Sequence, residues 1–314
     1  MNIAADTAPD RKSTPFAPPV FILGILPRSG TNFLSNLLIL HPDCGPPDPV
    51  WEDFLVAHSD LLAQYSDSVS RHWDEKWGID QQVQADLDAS LGRGLSRFVS
   101  ERGKGSRLIT KTPSVDNLDL FFRFFPDAHL LILVRDGRAI TESAWRSFGA
   151  RRETTFHALA SAAGVINRFD QHNRETGARY KIIRYEELWK HPETQMQQLF
   201  AFLGLNPDVY DFDQARDLPV RGSSELAKDD RKALHWDPVE KNEEFDPMSR
   251  FSHWGAFRHY RYNRTAGREM EALGYPRIEA GGPTWLWRAC SLILDTRWML
   301  MRLARPVFKW NLHR

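Results

Sequence analysis

The chain has 314 residues, and its 41 Lys and Arg residues balance 41 Asp and Glu residues. This balance excludes a global basic field of the kind that binds nucleic acids, while the length suffices for a large buried core. The two cysteines, Cys44 and Cys290, match no metal-site or disulfide-framework spacing, and a reducing compartment suits them.

The first 17 residues contain no apolar signal core, and we predict a flexible, Pro-rich leader over 1–17. No stretch reaches the ~18 uncharged apolar residues that a membrane-spanning helix needs. These features predict a cytoplasmic protein.

The stretch from Val20 to Leu40 reads as a buried strand, a tight polar turn and an amphipathic helix. Such a joint directs the N–H groups of the turn and of the first helical turn towards one point, where the helix dipole favours an anion. Arg28 and the hydroxyls of Ser29 and Thr31 add donors. The pattern predicts a phosphate-binding loop, and the alternative is a strand–turn–helix joint that binds no ligand.

This loop departs from the nucleotide triphosphatase pattern, because Ile25 stands where the first Gly would be and Thr31 follows Gly30 without an intervening Lys. The motif PRSGT after a buried strand instead resembles the 5′-phosphosulfate loop of sulfotransferases. That resemblance implies 3′-phosphoadenosine-5′-phosphosulfate (PAPS) as co-substrate. It also implies that Ser29, Gly30, Thr31 and Asn32 hold the 5′-phosphate.

Strands and helices alternate along the rest of the chain, which predicts right-handed crossovers and a parallel sheet with ligands at the carboxyl ends of its strands. The expected fold class is α/β, a three-layer P-loop-like fold with a central parallel sheet flanked by helices. After a loop over 41–49 and a mainly helical region over 51–100, the predicted strands are 107–110, 129–134 and 180–185, and the predicted helices end near 125 and span 138–148, 156–174 and 193–203.

A second motif begins at the tip of the strand over 129–134, where Arg135 precedes Ser143 by eight residues. An Arg at a strand end and a Ser two helical turns later can hold one phosphate together. This spacing resembles the 3′-phosphate site of sulfotransferases. The alternative is that Arg135 pairs with Asp136 or Glu142.

Two weaker signals agree with the resemblance, which covers about 20–275 and gives a predicted sulfotransferase domain over 18–278. Tyr185 matches a family residue near the adenine, although it could equally be a Tyr packed at a strand edge. Arg221, Gly222, Ser223 and Ser224 resemble a segment that covers the 3′-phosphate in bacterial members, and the alternative is a plain surface turn.

The resemblance implies that a sulfuryl group moves from PAPS to an acceptor hydroxyl by in-line displacement, without a metal. Arg28 occupies the place of the family's loop cation and is expected to neutralise charge on the leaving oxygen. Lys111, in the motif TKTP, is a second candidate cation, with a buried structural pair as the alternative.

The base is expected shortly after the first helix. Candidates there are His41, Asp43, Asp48, Glu52 and Asp53. We predict Glu52, because the flanking rings of Trp51 and Phe54 are expected to desolvate its carboxylate and raise its pKa. His41 is expected to cap the first helix.

The segment 279–314 is predicted to be a basic, Trp-rich amphipathic helical tail. Arg288, Asp295, Arg302 and Arg305 would form a narrow polar stripe beside a broad apolar face. Such a helix suits the surface of an anionic membrane, which would place the protein peripherally on the inner face and favour a glycan, glycolipid or other membrane-associated acceptor. The alternative is a helix that packs on the core or forms a dimer.

Two other functions stay open from the sequence. One is a P-loop kinase-like phosphotransferase, against which the missing Gly-Lys-Ser/Thr argues. The other is an inactive peripheral membrane or scaffold protein that keeps the fold.

Overall fold

The computed structural model describes residues 17–73, 75–77, 80–103, 105–218, 249–279 and 281–304. Its centre is a five-stranded sheet in the order β2-β3-β1-β4-β5, and every pairing within it is parallel. The strands are β1 (Ala17–Gly24), β2 (Cys44–Gly45), β3 (Arg107–Thr112), β4 (His129–Val134) and β5 (Tyr180–Arg184). The predicted parallel α/β fold is therefore confirmed.

Helices fill both sides of this sheet. Those before β4 are α1 (Thr31–Ile39), α2 (Ser59–Ser70), α3 (Gln81–Ser100) and α4 (Phe121–Phe124). Those that follow are α5 (Gly137–Phe148), α6 (Arg152–Asn173), α7 (Tyr185–Lys190), α8 (Pro192–Leu203), α9 (Phe212–Arg216), α10 (Ala256–Tyr262), α11 (Arg268–Ala272) and α12 (Thr284–Ala304).

The apolar strands supply two separate cores because successive side chains of a strand point to opposite faces. Phe21 and Leu23 of β1 pack with α4, α6 and α10, in a cluster that includes Phe156. Val20 and Ile22 of the same strand pack with α1 and α8 on the other face. Because helices cover both faces of β1, its apolar residues run without interruption along the strand. The helices on either side of the sheet form the three predicted layers.

The boundaries differ from the prediction in two places. Cys44 and Gly45 form a short edge strand inside the predicted loop, where they pair with the start of β3. Tyr185 begins α7 and does not end β5, because the strand stops at Arg184.

Helix α12 docks on the domain through one face. The ring of Trp287 lies 5.4 Å from that of Tyr260, Trp298 stacks on His157 at 4.3 Å, and Asp295 accepts hydrogen bonds from Arg261 and Arg264. Asp295 of the predicted polar stripe thus faces the domain, and the stripe as a whole stays a prediction. Among the described residues, no helix is both long and apolar enough to cross a membrane.

Candidate active site

The candidate site lies at the carboxyl edge of four adjacent strands. Lys111 stands near the end of β3, the loop 25–30 follows β1, Arg135 follows β4, and Tyr185 follows β5. Each predicted motif in the described residues therefore starts where a strand ends, as a ligand site of an open α/β sheet requires.

The backbone of the loop has a shape that two glycines permit. Gly30 has a φ of 100°, and a Cβ at this position would lie 2.5 Å from the ring of Tyr185. A Cβ on Gly24 would lie 2.3 Å from Ser29 Oγ. Arg28 itself adopts a φ of 78°, which is uncommon for a residue with a side chain. The loop therefore packs closely against the last residue of β1 and the first residue of α7.

Several donors of the loop have no protein acceptor in the described part of the chain. The N–H groups of Phe33 and Leu34 donate to the Gly30 carbonyl, whereas those of Gly30, Thr31 and Asn32 make no backbone hydrogen bond there. The Ser29 hydroxyl is fully buried and unpaired among the same residues. Buried donors are rarely left unsatisfied, so this set suits a phosphate-bearing anion.

Three guanidinium groups meet beside this loop. Arg28 Nε and Arg250 Nη1 both donate to Ser143 Oγ, at 2.9 and 2.8 Å. Arg135 Nη1 donates to the Arg28 carbonyl at 3.0 Å, and its guanidinium lies 4.3 Å from the centroid of the Tyr185 ring. The two predicted phosphate motifs thus form one continuous cationic site.

The cations affect one another electrostatically. Burial, together with the charges of Arg250 and Arg135, lowers the pKa of Arg28 to about 10. Like charges crowded in a poorly solvated site favour a ligand with more than one negative charge. The acids proposed as alternative partners of Arg135 are engaged elsewhere: Asp136 pairs with Arg138 at 2.7 Å and Glu142 with Arg152 at 2.6 Å.

Tyr185 has a supporting position. It is 5% exposed, and its ring contacts Gly30, Phe33 and Trp189 in addition to Arg135. The Tyr185 ring therefore packs beneath the loop and supports it. The predicted segment Arg221–Ser224 lies outside the described residues.

Glu52 lies at the end of β3, beside the predicted lysine. Lys111 Nζ is 3.4 Å from Glu52 Oε1, and burial lowers the pKa of this lysine although Glu52 opposes the shift. The expected desolvation of Glu52 by its neighbours is wrong, because Trp51 is 78% exposed and Phe54 41%. Phe54 takes a φ of 50°, and its N–H donates to Thr112 Oγ1 at 3.0 Å.

Asp53 is the carboxylate of this segment that is held by hydrogen bonds on both of its oxygens. Its two oxygens accept hydrogen bonds from Thr110 Oγ1 and from the Leu55 N–H, each at 2.7 Å, and burial raises its pKa. The Asp53 N–H also donates to the Lys111 carbonyl at 3.3 Å. Asp53 therefore anchors the segment 52–55 to β3 through hydrogen bonds, and this determines the position of Glu52.

His41 lies at the far end of α1 from the loop. Its buried ring contacts the Asn206 carbonyl at 3.0 Å through Nε2 and accepts from the Asp43 N–H through Nδ1. The ring thus ties α1 to the loop after α8, so the side chain does not cap the helix, whereas the His41 N–H donates to the Leu38 carbonyl in the last turn of α1.

Arg250 is the residue of the site that sequence reasoning missed. It has no local motif, and it reaches Ser143 through contacts distant in sequence. Within the described ranges, no group of three or more His, Cys, Asp and Glu side chains could ligate a metal.

The chain resembles proteins of known kind. Curated relatives include the protein-tyrosine sulfotransferase of Drosophila melanogaster, 26% identical over 59% of this chain and 38% of the relative, and protein-tyrosine sulfotransferase 1 of Danio rerio, 27% identical over 62% and 56%. This chain thus spans about half or less of their length. Among solved structures, a sulfotransferase domain from the curacin biosynthetic pathway is 18% identical over 83% of this chain and 99% of that one, with a TM-score of 0.49.

The family model described as "Sulfotransferase family" matches residues 18–209, which is well over half of the chain. The match contains the loop 25–30, Lys111, Arg135 and Ser143. The resemblance inferred from the two motifs is confirmed, and the chain belongs to the sulfotransferase family.

Proposed function

We propose that this chain transfers a sulfuryl group from PAPS to an acceptor hydroxyl. The observation that carries the proposal is that Arg28 and Arg250 meet at Ser143 while Arg135 donates to the Arg28 carbonyl. Beside them, the N–H groups of Gly30, Thr31 and Asn32 make no backbone hydrogen bond in the described residues. A donor with phosphates on both sides of its ribose has the charge and the acceptor oxygens that these groups need.

The donor-binding roles follow the two parts of this site. We assign the 5′-phosphate to the loop, through the Ser29 hydroxyl and the N–H groups of Gly30, Thr31 and Asn32. The 3′-phosphate is assigned to Arg135 and Ser143. Tyr185 has a supporting role in donor binding, because its buried ring packs against Gly30 and Arg135.

PAPS supplies the sulfuryl group, and the side chains position the reactants and handle charge and a proton. Arg28 neutralises charge on the departing phosphate oxygen. Glu52 takes the proton of the acceptor hydroxyl, while Lys111 holds that carboxylate and adds positive charge on the acceptor side. Asp53 is the positioning residue for Glu52.

We propose a tyrosine hydroxyl of a polypeptide as the acceptor. The names of the curated relatives favour this class over the glycan or glycolipid predicted from the tail. The exposed side of Glu52 is compatible with it, because a 32% exposed carboxylate beside a largely exposed Trp51 can be reached by an extended chain.

The test is transfer from radiolabelled PAPS to three acceptors: a tyrosine peptide, its phenylalanine counterpart and a glycolipid in vesicles. We expect label on the tyrosine peptide alone, and Glu52→Gln should lower kcat by about 100-fold or more while binding of adenosine 3′,5′-bisphosphate stays unchanged. Label on the glycolipid alone would contradict the peptide acceptor. Failure to label any acceptor, together with no binding of the bisphosphate, would contradict the activity itself.

We also propose that α12 rests on an anionic membrane. Its outward side carries exposed apolar residues and the exposed cations Arg288 and Arg297, while Asp295, its acid, is paired with the domain. The exposed apolar residues are Trp285, Leu286, Leu292, Ile293, Met299, Leu300 and Met301. Apolar groups between cations complement an anionic lipid surface.

Co-sedimentation with vesicles tests this placement. The paired substitutions Leu292→Glu and Ile293→Glu should abolish binding to phosphatidylserine vesicles and leave thermal unfolding unchanged, because both side chains are exposed. Phosphatidylcholine vesicles serve as the control. Binding that persists in the double variant, or that is equal on both lipids, would contradict the proposal.

A further inference from the structure

Arg135 and Tyr185 lie side by side just beyond the end of the β4–β5 pairing. The last residues paired between these strands are Val134 and Arg184, so each of the two is the first residue past the ladder. At both positions the chain leaves the sheet, towards α5 and α7. The 4.3 Å contact between the Arg135 guanidinium and the Tyr185 ring therefore lies where the ladder no longer holds the two segments together.

One carboxylate links these two segments beyond the strands. Glu186, which follows Tyr185, accepts at 2.8 Å through Oε1 from the N–H of Asp136, the residue after Arg135. Asp136 is the N-cap residue of α5, and in a capping box its N–H would donate to a Glu at the third helical position. Ala139 occupies that position and has no side-chain acceptor. Glu186 therefore supplies the acceptor from the neighbouring helix.

Tyr275 holds this carboxylate through its second oxygen. Its hydroxyl donates to Glu186 Oε2 at 2.7 Å, and the residue is 3% exposed. Burial, together with the charge of Glu186, raises the pKa of Tyr275, so the phenol keeps its hydrogen for this bond. The two oxygens of Glu186 thus accept from Asp136 and Tyr275, and these bonds fix the orientation of the carboxylate.

Tyr275 comes from an anchored part of the fold. Its N–H donates to the Met270 carbonyl at 3.0 Å, and Gly274 before it has a φ of 87°, the left-handed conformation that commonly ends a helix. Helix α11 is in turn held on α6, because Asn167 donates to the Glu269 carbonyl at 2.9 Å. The hydroxyl of Tyr275 is therefore positioned by α11 and, through it, by α6.

We infer that Glu186 and Tyr275 are positioning residues of the donor site, which set the distance between Arg135 and Tyr185. This inference rests on the proposed function, because it concerns the same donor site. Without the Tyr275 hydroxyl, the Glu186 carboxylate can rotate away from the Asp136 N–H. The guanidinium and the ring are then no longer held at their distance.

Calorimetric binding of adenosine 3′,5′-bisphosphate to Tyr275→Phe tests the inference, because this substitution removes only the hydroxyl. Tyr180→Phe is the matched control, since it removes a bond of the same kind, to Asp170 at 2.8 Å, at the opposite end of β5. We expect both variants to lower the urea midpoint of unfolding, and Tyr275→Phe alone to weaken the bisphosphate by about fivefold or more. A loss within about twofold of the control would overturn the inference.

Substitutions of Glu186 test whether Tyr275 acts through this carboxylate. Glu186→Ala should weaken the bisphosphate at least as much as Tyr275→Phe does. Glu186→Gln should recover most of the affinity, because an amide can accept from the Asp136 N–H and donate to the Tyr275 hydroxyl. In the Glu186→Ala background, Tyr275→Phe should add less than about twofold, since the carboxylate that it holds is gone.

An undiminished loss in that background would show that Tyr275 does not act through Glu186 and would overturn the inference. If the wild-type chain binds no bisphosphate, the proposed function fails and the inference fails with it. Tight wild-type binding that Tyr275→Phe leaves unchanged would remove the positioning role alone.

Discussion

Substitution of Arg135 by Met tests whether the arginine at the end of β4 binds the 3′-phosphate. In the structure, its guanidinium donates to the Arg28 carbonyl at 3.0 Å and lies over the ring of Tyr185. Met keeps much of the side-chain volume over that ring and removes the charge and the donors. The substitution therefore acts on the loop and on the proposed 3′ site together.

The loss of the loop contact and the loss of the 3′-phosphate contact are expected to weaken adenosine 5′-phosphate and adenosine 3′,5′-bisphosphate to different extents. Loss of the bond to the Arg28 carbonyl loosens the loop for any 5′-phosphate, and a hydrogen bond with one charged partner contributes about 1.5 kcal/mol or more, which is roughly tenfold in affinity. Loss of a charged contact to the 3′-phosphate adds about 2 kcal/mol, or roughly 30-fold. We therefore expect adenosine 5′-phosphate to bind about tenfold more weakly and adenosine 3′,5′-bisphosphate about 300-fold more weakly.

Isothermal titration calorimetry of both nucleotides on the wild type and Arg135→Met measures the difference. Arg277→Met is the matched control, because Arg277 is an exposed arginine that pairs with Glu271. Equal losses for the two nucleotides would remove Arg135 from the 3′ site and leave it only its contact with the loop.

Three further predictions concern the loop, the acceptor side and the fold. Gly30→Ala should lower stability by at least about 2 kcal/mol and weaken both nucleotides, because φ is 100° and the new Cβ would meet the Tyr185 ring; unchanged urea unfolding would contradict this. Lys111→Met should lower kcat more than it weakens the bisphosphate, and equal effects in steady-state kinetics and calorimetry would place Lys111 on the donor. Burial beside Arg107 and Arg179 lowers the pKa of His129 from 6.5 to about 4, so between these pH values the unfolded chain binds a proton that the folded chain does not, and stability should fall as the pH drops. His129→Gln should flatten that fall in urea titrations, and equal slopes would exclude the histidine as its source.

The sheet could be predicted because its strands are buried on both faces. The continuous apolar runs that became β1 and β4 have few alternatives in a chain of alternating strands and helices. The two-residue strand Cys44–Gly45 could not be predicted, since it is defined by backbone pairing with β3 and not by its side chains. The start of α7 at Tyr185 had a local signal, namely Glu186 and Glu187 in its first turn.

The site was predictable where the sequence carries a spacing, and less so where it depends on packing. Arg135 and Ser143 were placed correctly at a strand end and two turns into the next helix. The hydrogen bond from Arg28 to Ser143, and the entry of Arg250, depend on contacts between elements that are more than one hundred residues apart. No local pattern distinguishes Arg250 from the other arginines.

The acceptor side shows a similar limit. The sequence places Glu52 between two aromatic residues, but it does not show which way their rings point. In the structure, Phe54 has a left-handed backbone and Asp53 is held by Thr110, while Glu52 is left partly exposed beside Lys111.

The central claim is that the loop and the arginine cluster bind a nucleotide with both 3′- and 5′-phosphates. Its most direct test is calorimetry of the wild-type chain with adenosine 3′,5′-bisphosphate in the absence of metal, compared with ATP and Mg²⁺. We expect tight binding of the bisphosphate and binding of ATP–Mg²⁺ at least about 100-fold weaker, because the arginines are proposed to form a second phosphate site. Preference for ATP–Mg²⁺ would contradict a donor site for the bisphosphate and favour a phosphotransferase.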